Sequence, residues 1–293
     1  MQIAESAWRR CFNIVNVTLL GLLSLVTLYP MLHVAFASFS DPSRLMAHQG
    51  PLFQPLGISF SAYWGVFKNP MIAAGYLNTI FVLIFGVTIN IILTSIGAYF
   101  LSRQNVLWKN PIMFLIVFTM FFNGGLIPFY FTVRDLRMDN TLWALIFPVA
   151  INTFNLIIMR TAFLAIPDSM EESAKLDGAG HFTILFRIML PLALPTVAVM
   201  VLYYGVQHWN AWFNAMIFLR NRELFPLQLV LREIIIQNST MDMSSGAAVA
   251  DQEMIGETIK YSVIMVATVP ILALYPFLQK YFIKGIMIGA LKE

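Results

Sequence analysis

Four neutral side chains near residue 210 have the types and the spacing of a binding surface for a polar molecule. They follow one another at i, i+4, i+7 and i+11, which places them on one face of a continuous helix, and two tryptophans lie among them. Amide and phenol groups suit a cargo rich in hydroxyls, and indole rings stack on sugar faces. We therefore predict a carbohydrate-like substrate pathway formed by Tyr203, Gln207, Trp209, Asn210, Trp212 and Asn214. The alternative is that the amides hold helices together and the tryptophans belong to an interfacial belt.

A second polar stretch, residues 168–191, interrupts the apolar sequence with charges and glycines. Ser169 and Glu172 have the spacing of a capping box, so a two-turn helix is predicted over 170–177. Gly178 suits the C-terminal cap of that helix. A second short helix is predicted to follow and to end where prolines lead into the next apolar stretch. The segment is thus predicted to form a compact helical hairpin.

This hairpin presents side chains that suit docking to another protein. The charged groups available for polar contacts are Glu171, Glu172, Lys175, Asp177 and Arg187. An apolar pocket is offered by Phe182, Leu185 and Phe186. Such a surface is typical of a docking element rather than of a catalytic site. The alternative, an amphipathic linker lying on the membrane, would be rich in basic residues, and this stretch is not.

These polar residues belong to a chain with the composition of a polytopic membrane protein. Of its 293 residues, 59% are hydrophobic and 11% are charged, which argues against a soluble globular domain. A bilayer core about 30 Å thick needs about 20 apolar helical residues per span, and six segments meet that test. They are 12–39, 75–101, 111–133, 142–159, 192–219 and 261–278. The sequence predicts an all-α fold with six transmembrane helices, in which 1–293 form a single domain.

The basic residues indicate how these spans are oriented. Ten of the 18 Lys and Arg residues fall on the side that holds both termini, and eight fall on the other side. The short loop 103–109 on the first side also carries no acid. We therefore place both termini in the cytoplasm, which puts residues 168–191 at the cytoplasmic surface. The apolar run of the first span is longer than that of a signal peptide, so this span is expected to stay uncleaved.

Several classes of function are disfavoured by the residue types. No Asp, Glu, Lys or Arg lies inside the six spans, whereas ion-coupled carriers need an ionisable group at mid-membrane. A self-contained secondary sugar carrier is therefore the less favoured alternative. A membrane enzyme ranks last, because the sequence shows no nucleophile with a base. The single Cys11 and four dispersed histidines predict no metal site, and the scattered basic residues do not indicate nucleic-acid binding.

The hairpin segment also carries a motif. The order Glu172-Ser173-Ala174, Gly178, Ile188 and Leu190-Pro191 resembles the EAA motif of permease subunits in binding-protein-dependent ABC importers, with Ser173 where alanine is usual. The stretches "WNAWFN", "RELFPLQLVL" and "KYFIKGIMIGALKE" are similar to the smaller permease subunit of maltose-type carbohydrate importers. "FFNGGLIPFYF" and "MDNTLWALIFP" are similar to a subset that handles complex polysaccharide fragments.

This resemblance implies a type I ABC importer permease fold and a function without catalysis. The chain would move oligosaccharides, with alginate or other acidic polysaccharide fragments as candidates, from a periplasmic binding protein into the cytoplasm. The residues implied to couple the chain to its ATPase are Glu171, Glu172, Ser173, Ala174, Asp177, Gly178, Ile188 and Pro191. The chain has no G-x-x-x-x-G-K-[ST] motif, so no cofactor is expected on it, and ATP and magnesium would bind to the partner ATPase.

The implied partners are a second permease subunit, an ATPase dimer, a periplasmic substrate-binding protein, an oligosaccharide and the lipid bilayer. The implied location is the bacterial inner membrane, as a multi-pass protein. By the same resemblance, the loop 220–260 reaches into the binding protein and the tail 280–293 contacts the ATPase. Because the spans hold no cation, the carboxylates of an acidic cargo would need cations from the partner chain or from loop residues such as Arg220 and Arg222.

Overall fold

The computed structural model describes residues 7–244, 258–273 and 276 of the chain. Within these residues the secondary structure is helical, and the pairing of Ser40 with Ile58 is an isolated antiparallel bridge. The residues group into two compact units. One comprises residues up to 69 together with 233–268, and the other comprises 70–232 together with residues from 269 onward.

The first unit begins with a long apolar helix. Helix α1 (Ala7–Ser38) contains a stretch of 31 residues that is long and apolar enough to cross a membrane, and its most apolar window has no buried residue. This exposure is what a bilayer-facing helix requires, since lipid rather than protein would cover the side chains. Helices α2 (Pro42–Ala47) and α3 (Ser61–Lys68) follow it.

Side-chain hydrogen bonds hold the end of α1 to the segments after it. The Tyr63 hydroxyl donates to Ser38 Oγ at 2.8 Å, and the Leu52 amide donates to the Tyr29 hydroxyl at 3.0 Å. Asp41 caps α2 by accepting hydrogen bonds from the backbone of the first turn. A hydrogen bond from the Ser43 hydroxyl, together with these backbone bonds, stabilises the ionised carboxylate and lowers the pKa of Asp41 below its ordinary value.

The second unit is built around helix α4 (Pro70–Ser102), whose 33 residues are also long and apolar enough to span a membrane. Its buried face consists largely of small or polar residues at helical spacing. They include Gly75, Thr79, Gly86, Asn90, Thr94 and Ala98. Small residues allow the neighbouring helices to approach closely, which is how helices pack where lipid removes the hydrophobic driving force between them.

The next two predicted spans are each interrupted in the structure. Helix α5 (Lys109–Phe121) is followed by α6 (Leu126–Asp135) at an angle of 117°. Between them Gly125 has φ +85°, a value that favours glycine, and its amide donates to Asn123 Oδ1 at 2.9 Å. Two 3₁₀ turns over Leu142–Val149 then meet α7 (Thr153–Leu164) at 51°.

The polar hairpin and the fifth predicted span follow. Helix α8 (Asp168–Leu176) leads to a short helical run made of α9 (His181–Ile184), a π-helical turn (Leu185–Met189) and α10 (Leu190–Leu192). This run meets α11 (Leu194–Trp209) at 88°. After α11 come α12 (Trp212–Phe218), a 3₁₀ turn (Arg222–Leu224) and α13 (Leu227–Ser244), and the chain also has a helix at Thr258–Ala273.

By length and composition, two described helices can cross a membrane, and up to five spans result if each bent pair counts as one. The described helix nearest the sixth predicted span, Thr258–Ala273, has 16 residues, and most of 274–293 lies outside the described part of the chain. The number of spans therefore stays a prediction. The all-α prediction is confirmed for the described residues.

Candidate functional site

The end of helix α8 has the backbone geometry that the sequence predicts for Gly178. This residue has φ +79°, where residues with a side chain are strained. The Gly178 amide donates to the Lys175 carbonyl at 3.0 Å, and the Ala179 amide donates to the Ala174 carbonyl at 2.9 Å. Together these bonds form a Schellman motif, which stops the helix and turns the chain towards α9. The prediction of Gly178 as the C-terminal cap is confirmed.

The helix begins two residues earlier than the sequence predicts, so the predicted capping box is wrong. Pro167 occupies the cap, no side chain caps the helix, and Ser169 lies inside the first turn. The negative charge of Asp168 instead complements the helix dipole at this end. Its carboxylate also accepts a hydrogen bond from Gln104 Nε2 at 3.0 Å, so a tertiary contact rather than a capping box holds the helix start.

Glu171 is the centre of a buried polar cluster. Its side chain is turned into the protein, and the residue is only 5% exposed. One carboxylate oxygen pairs with Arg103 Nη1, and the other lies 2.8 Å from Lys175 Nζ and 3.4 Å from the Tyr99 hydroxyl. Two cations and a hydroxyl therefore surround this carboxylate, which compensates for its removal from water.

The same cluster reaches the end of α4 and the start of α9. The Arg103 guanidinium lies 5.0 Å from the centre of the Tyr99 ring, and its Nε donates to Ser102 Oγ at 3.0 Å. The Tyr99 hydroxyl is also 3.1 Å from His181 Nδ1. Helix α8 is thus tied by ionic and hydrogen-bonded contacts to the last turn of α4, a helix of membrane-spanning length. We call Tyr99, Arg103, Glu171, Lys175 and His181 the Glu171 cluster.

The residues of the predicted coupling motif divide between an inner and an outer face of the hairpin. Ala174 is buried in an apolar core with Ile184 and Met189, and Ile188 packs against that core. The motif residues on the outer face are exposed, and they are Glu172, Ser173, Asp177, Gly178 and Pro191. Leu176, which lies beside them and was not among the predicted residues, is 89% exposed. An outer face with two exposed acids and an exposed leucine is suited to binding another protein.

A cavity of about 750 Å³ opens beside the Glu171 cluster. It is lined by the last turns of α4, the loop after it and residues of α8 and α9, including the apolar Phe182 and Leu185 and the exposed Glu172. Of the three residues predicted to form an apolar pocket, Leu185 is buried, whereas Phe182 and Phe186 are exposed. Phe182 and Leu185 line this cavity, as the predicted pocket requires, whereas Phe186 does not line it.

The predicted four-residue polar face is not continuous. Helix α11 ends at Trp209, and Ala211 has φ −77° and ψ 61°, the geometry of an inverse γ-turn. The Asn210 side chain donates to the Val206 carbonyl at 3.0 Å, and the Trp212 amide donates to the Asn210 carbonyl at 2.8 Å. Tyr203 and Gln207 therefore lie on α11, while Trp212 and Asn214 lie on a separate helix.

The two predicted pathway tryptophans also have different surroundings. Trp209 is buried, and its ring packs edge-on against Tyr76 of α4. Trp212 is half-buried and contacts Phe213 and the guanidinium of Arg232. One indole is thus part of the helix packing, and the other remains accessible to a ligand.

The sequence reasoning missed a buried polar cluster on an adjoining face of α11. His208 Nε2 is 2.7 Å from Asn90 Oδ1, and the Tyr204 hydroxyl is 2.7 Å from Thr94 Oγ1. The Tyr204 hydroxyl also accepts a hydrogen bond from the Asn152 amide at 3.1 Å. The signal available was that Tyr204 and His208 have the same i, i+4 spacing as Asn90 and Thr94, which matches two helices crossing with complementary pairs.

This second cluster satisfies the backbone where the chain breaks before α7. The Asn90 side-chain amide donates to the carbonyls of Val149 and Ala150 at 3.0 and 2.8 Å. Those carbonyls belong to the last residue and the cap of the second 3₁₀ turn, where the chain breaks before α7 begins. We call Asn90, Thr94, Asn152, Tyr204 and His208 the Asn90 cluster. Among the residues that the structure describes, no three His, Cys, Asp or Glu side chains are grouped to hold a metal.

A family comparison decides the class of this protein. The model of the family described as "Binding-protein-dependent transport system inner membrane component" matches residues 90–288, more than half of the chain. The chain belongs to this family. It is a transport permease subunit and not an enzyme.

Individual relatives of this permease agree over nearly its whole length. It is 40% identical to the polygalacturonan/rhamnogalacturonan transport system permease protein YtcP of Bacillus subtilis (strain 168), over 97% of this chain and 99% of that protein. It is 38% identical to Protein LplC of the same organism, over 97% and 95% of the two chains.

A solved structure also matches the fold. A chain from the crystal structure of a bacterial ABC transporter involved in the import of the acidic polysaccharide alginate is 36% identical, with a TM-score of 0.86. The match covers 96% of this permease and 100% of that chain. The predicted type I ABC importer permease fold is confirmed at this level, and the alternative of a secondary carrier is not favoured.

Proposed function

We propose that this permease moves oligosaccharides into the cytoplasm within an ATP-driven importer, receiving them from a substrate-binding protein. The two most informative relatives are named for the transport of polygalacturonan, rhamnogalacturonan and alginate. Polygalacturonan and alginate are polymers of uronic acids, so each sugar unit carries a carboxylate. The proposed cargo is therefore an acidic oligosaccharide.

The proposed assembly assigns the energy supply to other chains. This permease would pair with a second permease subunit, and both would sit on an ATPase dimer that binds ATP and magnesium. The six spans, both termini in the cytoplasm and the single domain over 1–293 remain our proposal for its arrangement in the bacterial inner membrane. The tail 280–293, proposed to contact the ATPase, lies outside the described residues.

The coupling segment 168–191 is the observation that carries this proposal. Its outer face would enter a cleft of the ATPase through Glu172, Leu176 and Asp177, which are exposed. Its inner face is fixed to α4 through the Glu171 cluster. In this arrangement, ATP-driven closing of the ATPase dimer pushes α8, and α8 moves the membrane helices with it.

Two glycines of the segment provide a matched test. Gly178 and Gly180 both have open space where a side chain would start, but their φ values are +79° and −75°. Gly178→Val therefore strains the backbone at the end of α8, whereas Gly180→Val does not. We expect ATP-dependent uptake by the assembled importer to fall at least tenfold for Gly178→Val and to stay within twofold of wild type for Gly180→Val.

The measurement is uptake of labelled oligogalacturonate in cells or proteoliposomes that contain all the subunits, with the amount of membrane-inserted chain measured in parallel. Normal uptake by Gly178→Val would contradict the coupling role. Equal loss in both variants would show that the segment tolerates no side chain, independent of backbone geometry. Uptake by the purified permease alone, driven by an ion gradient, would contradict the proposed function as a whole.

A further inference from the structure

We propose that Trp212 and Arg232 form a subsite that binds a carboxylate of an acidic sugar as it passes through the permease. This inference rests on the proposed function, because it assigns a recognition element for that cargo. Trp212 belongs to the substrate pathway predicted from the sequence, whereas Arg232 does not. The structure brings the two residues together from separate helices.

The geometry is that of a guanidinium stacked on an indole. Arg232 Cζ lies 4.0 Å from the centre of the Trp212 ring, and Arg232 Nη1 lies 2.9 Å from Met216 Sδ. Trp212 and Met216 are one turn apart on α12, so both face the arginine from the same side. Stacking fixes the plane of the guanidinium and leaves its edge available, and that edge has the donor geometry for a carboxylate.

The charge of Arg232 has no counter-ion in the described part of the chain. Its contacts there are an aromatic ring and a thioether, which is only a weak acceptor. Two other arginines of this unit differ in that respect. Arg134 lies 3.5 Å from the Asp135 carboxylate, and Arg220 lies 4.0 Å from the Asp139 carboxylate. Of these three arginines, Arg232 is therefore the one whose charge can bind an external anion without first breaking an ion pair.

The helix that carries Arg232 is held rigidly against α4. At Gly75, an added Cβ would lie 3.1 Å from the Leu227 Cα, a tight contact that would push the two backbones slightly apart. The Leu227 amide donates to Thr79 Oγ1 at 2.8 Å, and Asn78 Nδ2 donates to the Glu223 carbonyl at 2.7 Å. A fixed helix start reduces the entropy that is lost when the guanidinium binds a ligand.

The position in the chain also suits cargo entry. Helix α11 has 16 residues and separates the coupling segment from α12, which corresponds to about 24 Å along the helix axis. Trp212 and Arg232 thus lie towards the end of this unit opposite the coupling segment. Under the proposed orientation, that end is the outer mouth of the permease. The six proposed spans themselves contain no charged side chain.

The test compares an acidic sugar with its neutral form. The probes are trigalacturonate and its trimethyl ester, which has the same rings without the charges, and the readout is initial uptake by the complete importer. We expect Arg232→Gln to lower trigalacturonate uptake about tenfold relative to wild type and to leave ester uptake within twofold. Arg232→Lys should retain an intermediate rate, because lysine keeps the charge but loses the planar fork.

Arg134→Gln is the matched control, since Arg134 also lies over an aromatic ring, at 4.6 Å from Phe131, but has a carboxylate nearby. We expect this control to transport trigalacturonate at the wild-type rate. Equal losses of acid and ester uptake in Arg232→Gln would overturn the inference and indicate that Arg232 binds a lipid phosphate or a carboxylate of a partner protein instead. Unchanged trigalacturonate uptake in Arg232→Gln would overturn it as well.

The remaining outcomes are also decisive. The wild-type importer could carry trigalacturonate but not its ester. In that case, a loss of trigalacturonate uptake in Arg232→Gln but not in Arg134→Gln supports the subsite. Equal losses of trigalacturonate uptake in both variants overturn it. If the wild-type importer carries neutral oligosaccharides but no trigalacturonate, the acidic cargo is wrong and the subsite falls with it, while the importer function stands. If it carries no oligosaccharide, the proposed function itself fails.

Discussion

The Glu171 cluster and the Asn90 cluster are both buried polar networks in the same unit, but they are built from different chemistry. The first contains a carboxylate, a guanidinium and an ammonium group, and it lies where α4 ends and the hairpin begins. The second contains an amide, two hydroxyls, an imidazole and a backbone amide, and it lies along the middle of α4. Both join α4 to segments that are distant in sequence.

In the proposed membrane arrangement, this difference follows from the cost of charge at the two positions. Near the membrane surface, the partly exposed Lys175 keeps the Glu171 ion pairs in contact with water. The desolvation cost of the charges is therefore low there. At mid-membrane, a charged side chain costs about 2.5–3.5 kcal/mol even by insertion scales, whereas neutral groups that satisfy one another cost far less. In that arrangement, helices of this permease are joined by ions near the membrane surface and by neutral hydrogen bonds deeper in the bilayer.

The largest expected effect comes from breaking the ionic cluster. Glu171→Ala leaves Arg103 partly buried without its carboxylate, so we expect the free energy of unfolding to fall by about 3 kcal/mol. The measurement is a denaturant titration of the purified importer in detergent. Adding Arg103→Ala to this variant should recover part of the loss, because the uncompensated charge is then removed.

The neighbouring Glu172 is the control for this prediction. It is exposed, so Glu172→Ala should change the unfolding free energy by no more than about 0.5 kcal/mol. Glu172→Lys should nevertheless abolish ATP-dependent uptake, because it reverses a charge on the proposed docking face. Equal destabilisation by Glu171→Ala and Glu172→Ala would show that the two adjacent acids do not have separate roles.

A smaller effect is expected from crowding the neutral cluster. An added Cβ at Gly86 would lie 2.6 Å from His208 Nε2, so Gly86→Ala must displace the imidazole and break its hydrogen bond to Asn90. We expect a loss of about 2 kcal/mol in the same titration. Gly205→Ala is the control, because Gly205 has open space in helix α11, and it should be neutral or slightly stabilising.

The smallest effect is expected from removing one hydroxyl of the neutral cluster. Thr94→Val keeps the shape of the side chain but deletes its hydrogen bond to Tyr204, and we expect a loss of about 1 kcal/mol. Thr88 lies on the same helix and bonds only to the Ile84 carbonyl of its own turn, so Thr88→Val should cost less than about 0.5 kcal/mol. A Thr94 effect as large as that of Glu171→Ala would erase the distinction between the two clusters.

Much of the coupling segment could be predicted from sequence because its signals are local. The helix of 168–176 and the left-handed Gly178 follow from residues within a few positions of one another. The buried role of Glu171 could not be predicted in this way. Glu171 and Glu172 are adjacent and chemically identical, and only the packing against Arg103 and Tyr99 turns one inward.

The polar face of the fifth predicted span shows the opposite case. Helical spacing predicts Tyr203 and Asn214 on one face only if the helix continues, and hydrophobicity alone gives no sign of the turn at Ala211. Burial of Trp209 against Tyr76 accompanies the end of α11 there. The buried polar residues missed, His208 and Tyr204, are recognisable only once α4 is known to lie against them.

The sequence by itself determined the membrane class, the helical fold, the family motif and the glycine turn, because hydrophobicity, helix capping and motif spacing are properties of short stretches of chain. Only the tertiary structure decided where the predicted spans break, which of two glutamates is buried, and that Arg232 lies on Trp212. Each of these depends on contacts between residues that are far apart in sequence, and such contacts exist only after the helices have packed.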